Sequence, residues 1–248
     1  MEIHKPKPWH GWREFLKEIG TIVIGVLIAL GGEQLVERLH HGEQAKLAER
    51  AMRLELGEDD GPQAYGRVVI FRCLDNQLAQ IHDSAASAPT DQLRRWVASY
   101  APPVRTWDSE AWKGVVSSDV GNFMGAERLV DWSAAYRAVP RLNDTNLRES
   151  ALAAQLREAL PTTGEASAAD RETLRRLAGE LRFWNIGIAR GSELFLTRIQ
   201  RLGAPVPAAT QQALLSQARD LFGDCAVAPD LAAPRAGNPL ANLRGQFQ

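Results

Sequence analysis

The sequence predicts an all-α protein with one amino-terminal transmembrane helix followed by a multi-helix bundle domain. Three observations predict it. Ile19 to Gly32 carries no charge; apolar residues recur at helical spacing from Glu43 to Phe222; and no convincing period-2 strand pattern interrupts them. Composition agrees, since 45% hydrophobic and 24% charged residues supply a core and exclude a disordered chain. Lys+Arg number 29 against 30 Asp+Glu, so no basic stripe is available for nucleic acid and none is expected as a partner.

The apolar run lies between Glu18 and Glu33 and is shorter than the roughly 20 residues of a full span. Adding Phe15-Leu16 and Leu35-Val36 extends it to Phe15–Val36. Lys17, Glu18, Glu33 and Gln34 then sit at interfacial levels, where long side chains reach water. Trp9, Trp12 and Lys17 are the expected interface anchors. A cleaved signal peptide ending near Ala29-Leu30-Gly31 and a buried core helix are the competing readings. Glu2, Glu14 and Glu18 are atypical of the first, and Thr21 to Leu30 lacks the polar face expected of the second. The anchor reading is preferred.

Lys5, Lys7, Arg13 and Lys17 precede the run, and Arg38, Lys46, Arg50 and Arg53 follow it. The count is even, but large domains translocate largely regardless of charge, so the short basic tail weighs more. The expected organisation is a short cytoplasmic tail (1–14), a transmembrane helix (15–36), a helical periplasmic domain (37–225) and a flexible tail (226–248). The expected location is a bacterial inner membrane, crossed once with the amino terminus cytoplasmic.

Thr21, Gly25, Ala29 and Glu33 recur at every fourth residue and form the expected helix-packing face. Beyond the lipid bilayer, the partners expected there are a membrane protein or a second copy of the anchor. The alternative is that small residues are simply frequent in membrane helices.

From Glu43 onward the pattern is helical. Ala45–Leu56 is rich in helix formers and can continue the anchor outward, with Gly57 and Gly61-Pro62 expected to interrupt it. Pro62–Ser84 carries Ile70, Leu74, Leu78 and Ile81 on one stripe. Thr90 is the expected cap of a helix with Leu93, Val97 and Tyr100 inward, stopped by Pro102-Pro103. Thr106–Ser118 and Gly125–Val139 follow, with Pro140 ending or kinking the latter, and then Asn143–Leu160. The strongest pattern is Ser167–Leu202, where Leu174, Leu177, Leu181, Trp184, Ile188, Phe195, Ile199 and Leu202 keep a 3-4 spacing. Thr210–Phe222 is the last helix, with Leu214, Ala218 and Leu221 inward.

Lys17-Glu18-Ile19 followed by Ile22-Val23-Ile24-Gly25-Val26-Leu27-Ile28-Ala29-Leu30 resembles the start of a group of uncharacterised proteobacterial single-pass inner-membrane proteins. The likeness continues in Glu55-Leu56 with acids nearby, and in an aromatic and arginine stretch leading to Cys73-Leu74-Asp75 and Leu78. It covers about the first third of the chain. The resemblance implies an anchor and a helical domain, and carries no activity.

Chemistry-bearing motifs are sparse. Cys73 and Cys225, the 2 cysteines, are a disulfide candidate in a periplasmic domain, closing a loop of about 150 residues; in a reducing compartment they are two unrelated thiols. No cofactor and no metal site is expected: His40-His41 with Glu43 lacks i,i+4 geometry, and Glu58-Asp59-Asp60 reads as a solvated helix end rather than a cation site. Asp108, Glu110 and Asp119 near Trp107 and Trp112 could line a pocket or simply cap helices, and Arg67 and Arg72 could pair with those acids. Neither a nucleophile elbow nor a phosphate loop is present in the sequence. The expected function is therefore a membrane-anchored, non-catalytic accessory, scaffold or interaction subunit. The alternative is a periplasmic helical sensor or ligand-binding domain that signals through a membrane partner, with a pocket near Trp107, Trp112 and Trp184 as its mark; an enzyme ranks third, and perturbed acids gathered in one cleft would be its mark.

Overall fold

A computed structural model of the chain describes residues 11–231, and these are helical with no strand among them. The helices are α1 (Trp12–Leu54), α2 (Gly61–Val69), α3 (Phe71–Ser84), α4 (Thr90–Ser99), α5 (Glu110–Ser117), α6 (Ala126–Tyr136), α7 (Ala138–Glu158), α8 (Ala168–Arg201) and α9 (Ala208–Phe222). Short 3-10 turns at Asp119–Phe123 and Gly223–Cys225 complete the path.

Among the described residues one helix, α1, is from Phe15 onward long and apolar enough to cross a membrane, and none of its most apolar window is buried by the rest of the chain. Ile22, Val23, Ile24, Leu27, Ile28 and Leu30 all face outward. Further along the same helix the environment changes: Ala45, Met52 and Leu56 enter the core. Two contacts brace this stretch. His41 stacks on Phe123 at 3.9 Å, and Glu49 accepts from Arg53 at 2.9 Å and from Arg128 at 2.6 Å.

Gly57 and Gly61-Pro62 do not interrupt the helix as the sequence suggests. Glu55–Asp60 widens into a π segment, and the Gly61 N–H donates to the Leu56 carbonyl five residues back. The wider turn leads α1 into α2 with Pro62 in the first turn of the new register, where its missing N–H is tolerated. The glycines serve packing instead. A Cβ on Gly61 would lie 2.8 Å from Val206 Cγ2, and one on Gly57 3.2 Å from the Ala204 carbonyl. The α8–α9 connection can approach the rod only because both positions are bare.

α8 is the central helix and packs on α2, α3 and α7. Its start carries a complete capping box: Ser167 Oγ accepts from the Asp170 N–H, and Asp170 accepts from the Ser167 N–H. Leu174, Leu177, Leu181, Ile188, Phe195 and Ile199 are buried as the 3-4 spacing predicts, while Trp184 is only half-buried. Ile70, Leu74, Leu78 and Ile81 are all in the core, as are Leu93, Val97 and Tyr100.

Elsewhere some local expectations hold and others change. α6 ends at Tyr136, four residues before Pro140, as expected of a residue that cannot bond that carbonyl, and Pro140 itself stands in the first turn of α7, where no N–H is required. Thr90 is not the cap of α4; Pro89 precedes the helix, and the Thr90 hydroxyl donates to Glu165 at 2.5 Å while accepting from the Ala166 N–H. α5 starts at Glu110 rather than Thr106, which leaves Trp107 and Asp108 on the irregular approach to it. Leu221, expected inward, is 72% exposed, whereas Ala218 is buried.

Candidate functional site

Along α1 the residues Thr21, Gly25, Ala29 and Glu33 share one exposed face. Gly25 has no atom near its missing side chain, and the Thr21 hydroxyl donates to the Lys17 carbonyl at 2.9 Å. Trp12 is exposed, with its ring 5.6 Å from that of Phe15, and Lys17 is exposed as well. Trp9 lies outside the described residues.

Cys73 in α3 and Cys225 after α9 are disulfide-bonded, with Cα atoms 5.1 Å apart across a sequence separation of 152. The residues just past the bond are docked: Ala226 is buried and the Val227 N–H donates to the Val69 carbonyl. Residues 232–248 of the expected flexible tail lie outside the described residues.

The core holds a polar cluster that the apolar stripes conceal. Arg67 on α2 and Glu149 on α7 are each 1% exposed and meet at 2.5 Å. The same Arg67 Nη2 donates to Asn185 Oδ1 on α8 at 2.7 Å, and Asn185 Nδ2 donates to the Phe71 carbonyl. The Tyr100 hydroxyl donates to Glu149 at 3.4 Å, and burial together with that carboxylate pushes its pKa far above the usual phenol range. Arg67 therefore pairs with Glu149, not with the acids at 108, 110 or 119, while Arg72 is exposed.

A second guanidinium joins this cluster. Arg105 lies against Gly66, where a Cβ would come within 3.1 Å of both Nη1 and Nη2. Its backbone carbonyl accepts from Asn146 Nδ2, which fixes the segment on α7. Burial first, and then the charge of Arg67, lower its pKa to about 10, with Glu149 acting in the opposite direction. Nε and Nη1 of Arg67 and Nε of Arg105 are buried with no acceptor in the protein. Among the described residues Glu149 is the carboxylate that faces both guanidiniums, of which Arg67 is buried and ion-paired to it while Arg105 is half-buried. Beside Arg105 opens a cavity of about 380 Å³, walled by Gly66, Ile70, Leu214, Ala218 and Phe222 and rimmed by Val104 and Leu221.

On another side of the α1–α2 junction, Glu55, Glu58, Asp59, Asp60 and Asp108 line an acidic cleft of about 630 Å³. Glu58 and Asp59 are solvated as expected, but Asp60 is 1% exposed, because the π segment turns it inward. It accepts from the Asp108 N–H at 3.0 Å, and Glu55 accepts from the Ala111 N–H at 2.8 Å. Burial pushes the Asp60 carboxyl up to about 7; the Asp108 N–H opposes this, and the charges of Glu55, Asp108 and Asp59 add to it. Tyr136 is raised well beyond the phenol range by burial and by Glu55. No group of three or more His, Cys, Asp or Glu is placed to hold a metal ion among the described residues.

The tryptophans do not gather around one pocket. Trp107 meets Phe195 edge-on at 6.0 Å, Trp112 stacks on Tyr136 at 5.4 Å, and Trp184 lies under the Arg148 guanidinium beside Phe183. What the sequence reading missed has a readable signature. Leu142, Asn146, Glu149, Ala153 and Leu156 keep one 3-4 stripe, as do Leu181, Asn185, Ile188, Ser192 and Phe195. Polar residues at stripe positions mark the buried cluster.

Compared with protein-family models, with curated proteins and with solved structures, the chain matches none.

Proposed function

We propose that this chain is a single-pass, membrane-anchored and non-catalytic interaction subunit. Its amino terminus is cytoplasmic and its helical bundle domain stands on the periplasmic side of a bacterial inner membrane. The carrying observation is the continuity of α1: an apolar stretch exposed on every side runs without a break into a helix whose later residues are core. An exposed apolar surface of that size needs lipid or a partner to cover it. The bracing of His41 by Phe123 and of Glu49 by Arg128 ties the domain to the anchor, so a partner gripping one orients the other. Support for the periplasmic side comes from the disulfide, which persists in oxidising compartments. The face bearing Thr21, Gly25 and Ala29 permits close approach of a second helix. The resemblance of the amino-terminal third to single-pass membrane proteins points the same way.

The test is expression of the full chain in a Gram-negative host, with alkaline carbonate extraction, thiol labelling before and after reduction, and crosslinking in mild detergent. The expected result is retention in the membrane pellet and thiols that label only after reduction. A defined crosslinked species should also form and be lost in Gly25→Leu. Release of a shortened chain by carbonate identifies a cleaved leader and overturns the anchor; labelling without reductant overturns the orientation.

A further inference from the structure

We propose that the cavity between α2, α9 and the 101–105 segment binds an amphipathic monocarboxylate, its carboxylate on Arg105 and its apolar chain along Ile70, Leu214 and Phe222. This goes beyond the anchoring reading and holds for a domain on either side of a membrane.

The argument begins with charge. Arg67, buried, and Arg105, half-buried at the cavity, both stay cationic at neutral pH, and a cation drawn out of water is normally paired. Glu149 serves Arg67 at 2.5 Å, Asn185 is its neutral acceptor, and Tyr100 donates to Glu149. Arg105 keeps a buried N–H without an acceptor and borders the open cavity. An anion arriving there completes the count of two cations to two carboxylates. A guanidinium takes a carboxylate in a two-pronged geometry that a neutral oxygen does not match.

The walls select the rest of the ligand. Ile70, Leu214, Ala218 and Phe222 are apolar, Gln63 and Gln217 add uncharged amides, and the rim residues Val104 and Leu221 are 70% and 72% exposed. Apolar side chains left open at the mouth of a cavity with a single cation suit a ligand with one charged end and one apolar end. Gly66 makes the site possible, since a side chain there would crowd the guanidinium. The disulfide follows α9 directly and holds this wall in place.

The experiment uses the full chain in lipid nanodiscs, titrated calorimetrically with octanoate and, separately, with octanol, acetate and inorganic phosphate. Empty nanodiscs supply the partitioning baseline. Octanoate is expected to bind with the other three at least tenfold weaker. Arg105→Gln should weaken octanoate at least tenfold. Leu221→Asp, at an exposed position where the fold is indifferent, should weaken it through repulsion at the rim. Octanol binding as well as octanoate, or Arg105→Gln and Leu221→Asp both retaining full affinity, overturns the proposal. Phosphate or acetate binding as tightly as octanoate overturns its apolar half.

Discussion

Breaking the Cys73–Cys225 bond tests the fold's largest single constraint. The bond closes a loop spanning a sequence separation of 152. In the chain-entropy treatment a loop of that length raises stability by about 5 kcal/mol at 25 °C, which is an upper figure because real unfolded chains keep residual structure. Removing native disulfides commonly costs about 2–5 kcal/mol, a large part of the total stability of an ordinary domain. The local structure argues for a substantial value. Cys73 is buried between Arg72 and Leu74 on α3, and the bond keeps Ala226 buried and Val227 paired with Val69. The assay is urea unfolding of the full chain in nanodiscs, oxidised and reduced, followed by tryptophan fluorescence. With a slope of about 2 kcal/mol per molar urea, the midpoint should fall by about 1–2.5 M on reduction. Cys73→Ala with Cys225→Ser should reproduce the reduced midpoint. Coincident oxidised and reduced curves refute the reasoning, because a bond that restricts the unfolded chain cannot be silent.

Asp60 and Glu149 give two further tests. A carboxyl that holds its proton up to about 7 when folded and to 3.8 when unfolded costs stability progressively as pH rises between those values. Stability from this group is therefore greatest below pH 3.8 and is lost by pH 7, amounting to about 4 kcal/mol from 1.36 kcal/mol per pKa unit. Asp60→Asn should flatten that part of the thermal stability profile and raise the melting temperature at pH 8; an unchanged profile removes the assignment. Glu149→Gln leaves the buried Arg67 guanidinium without its countercharge and should cost about 3–5 kcal/mol in the same urea assay. Arg67→Met combined with Glu149→Leu should recover most of that loss, and a double variant as weak as the single one contradicts the pairing.

How much of this was legible in the sequence depends on which force set each feature. The helical stripes were readable because burial is periodic: Leu74, Leu78 and Ile81 or Leu174, Leu177 and Leu181 are in the core where spacing places them. Helix ends were less readable. Gly57 and Gly61 look like breakers on propensity, yet they are bare because the segment holding Ala204 and Val206 must pass close by, a long-range fact that no local window contains. Thr90 was misplaced by one position because a Thr is tolerated in the first turn as readily as at the cap. The polar cluster escaped for a related reason. Glu149 and Asn185 on apolar stripes mark buried polar positions, but which groups pair there is fixed only when three helices are brought together. The acids at 58–60 divide along the same line, with Glu58 and Asp59 solvated and Asp60 turned inward by the π segment.

The continuity of α1 with α2 also constrains where the cavity's ligand comes from. Gly66 stands 30 residues beyond Val36, which at 1.5 Å per residue is about 45 Å along the rod. If Phe15–Val36 spans a bilayer, the Arg105 cavity sits well clear of the headgroups, and a lipid still seated in the membrane cannot place its carboxyl there. A ligand must arrive through water, which favours a short-chain carboxylate over a long-chain one. The cavity's own scale agrees, because about 380 Å³ lies near the lower end of ordinary ligand sites. Gly66 and Ile70, which line the cavity, stand at the head of the rod, while Thr21, Gly25 and Ala29 lie toward its foot. The π segment between them is held from two sides, by Ala204 and Val206 packing on its glycines and by Asp108 and Ala111 hydrogen-bonding to its acids. An anchored interaction domain and a soluble-ligand pocket are thus compatible roles for one continuous helix.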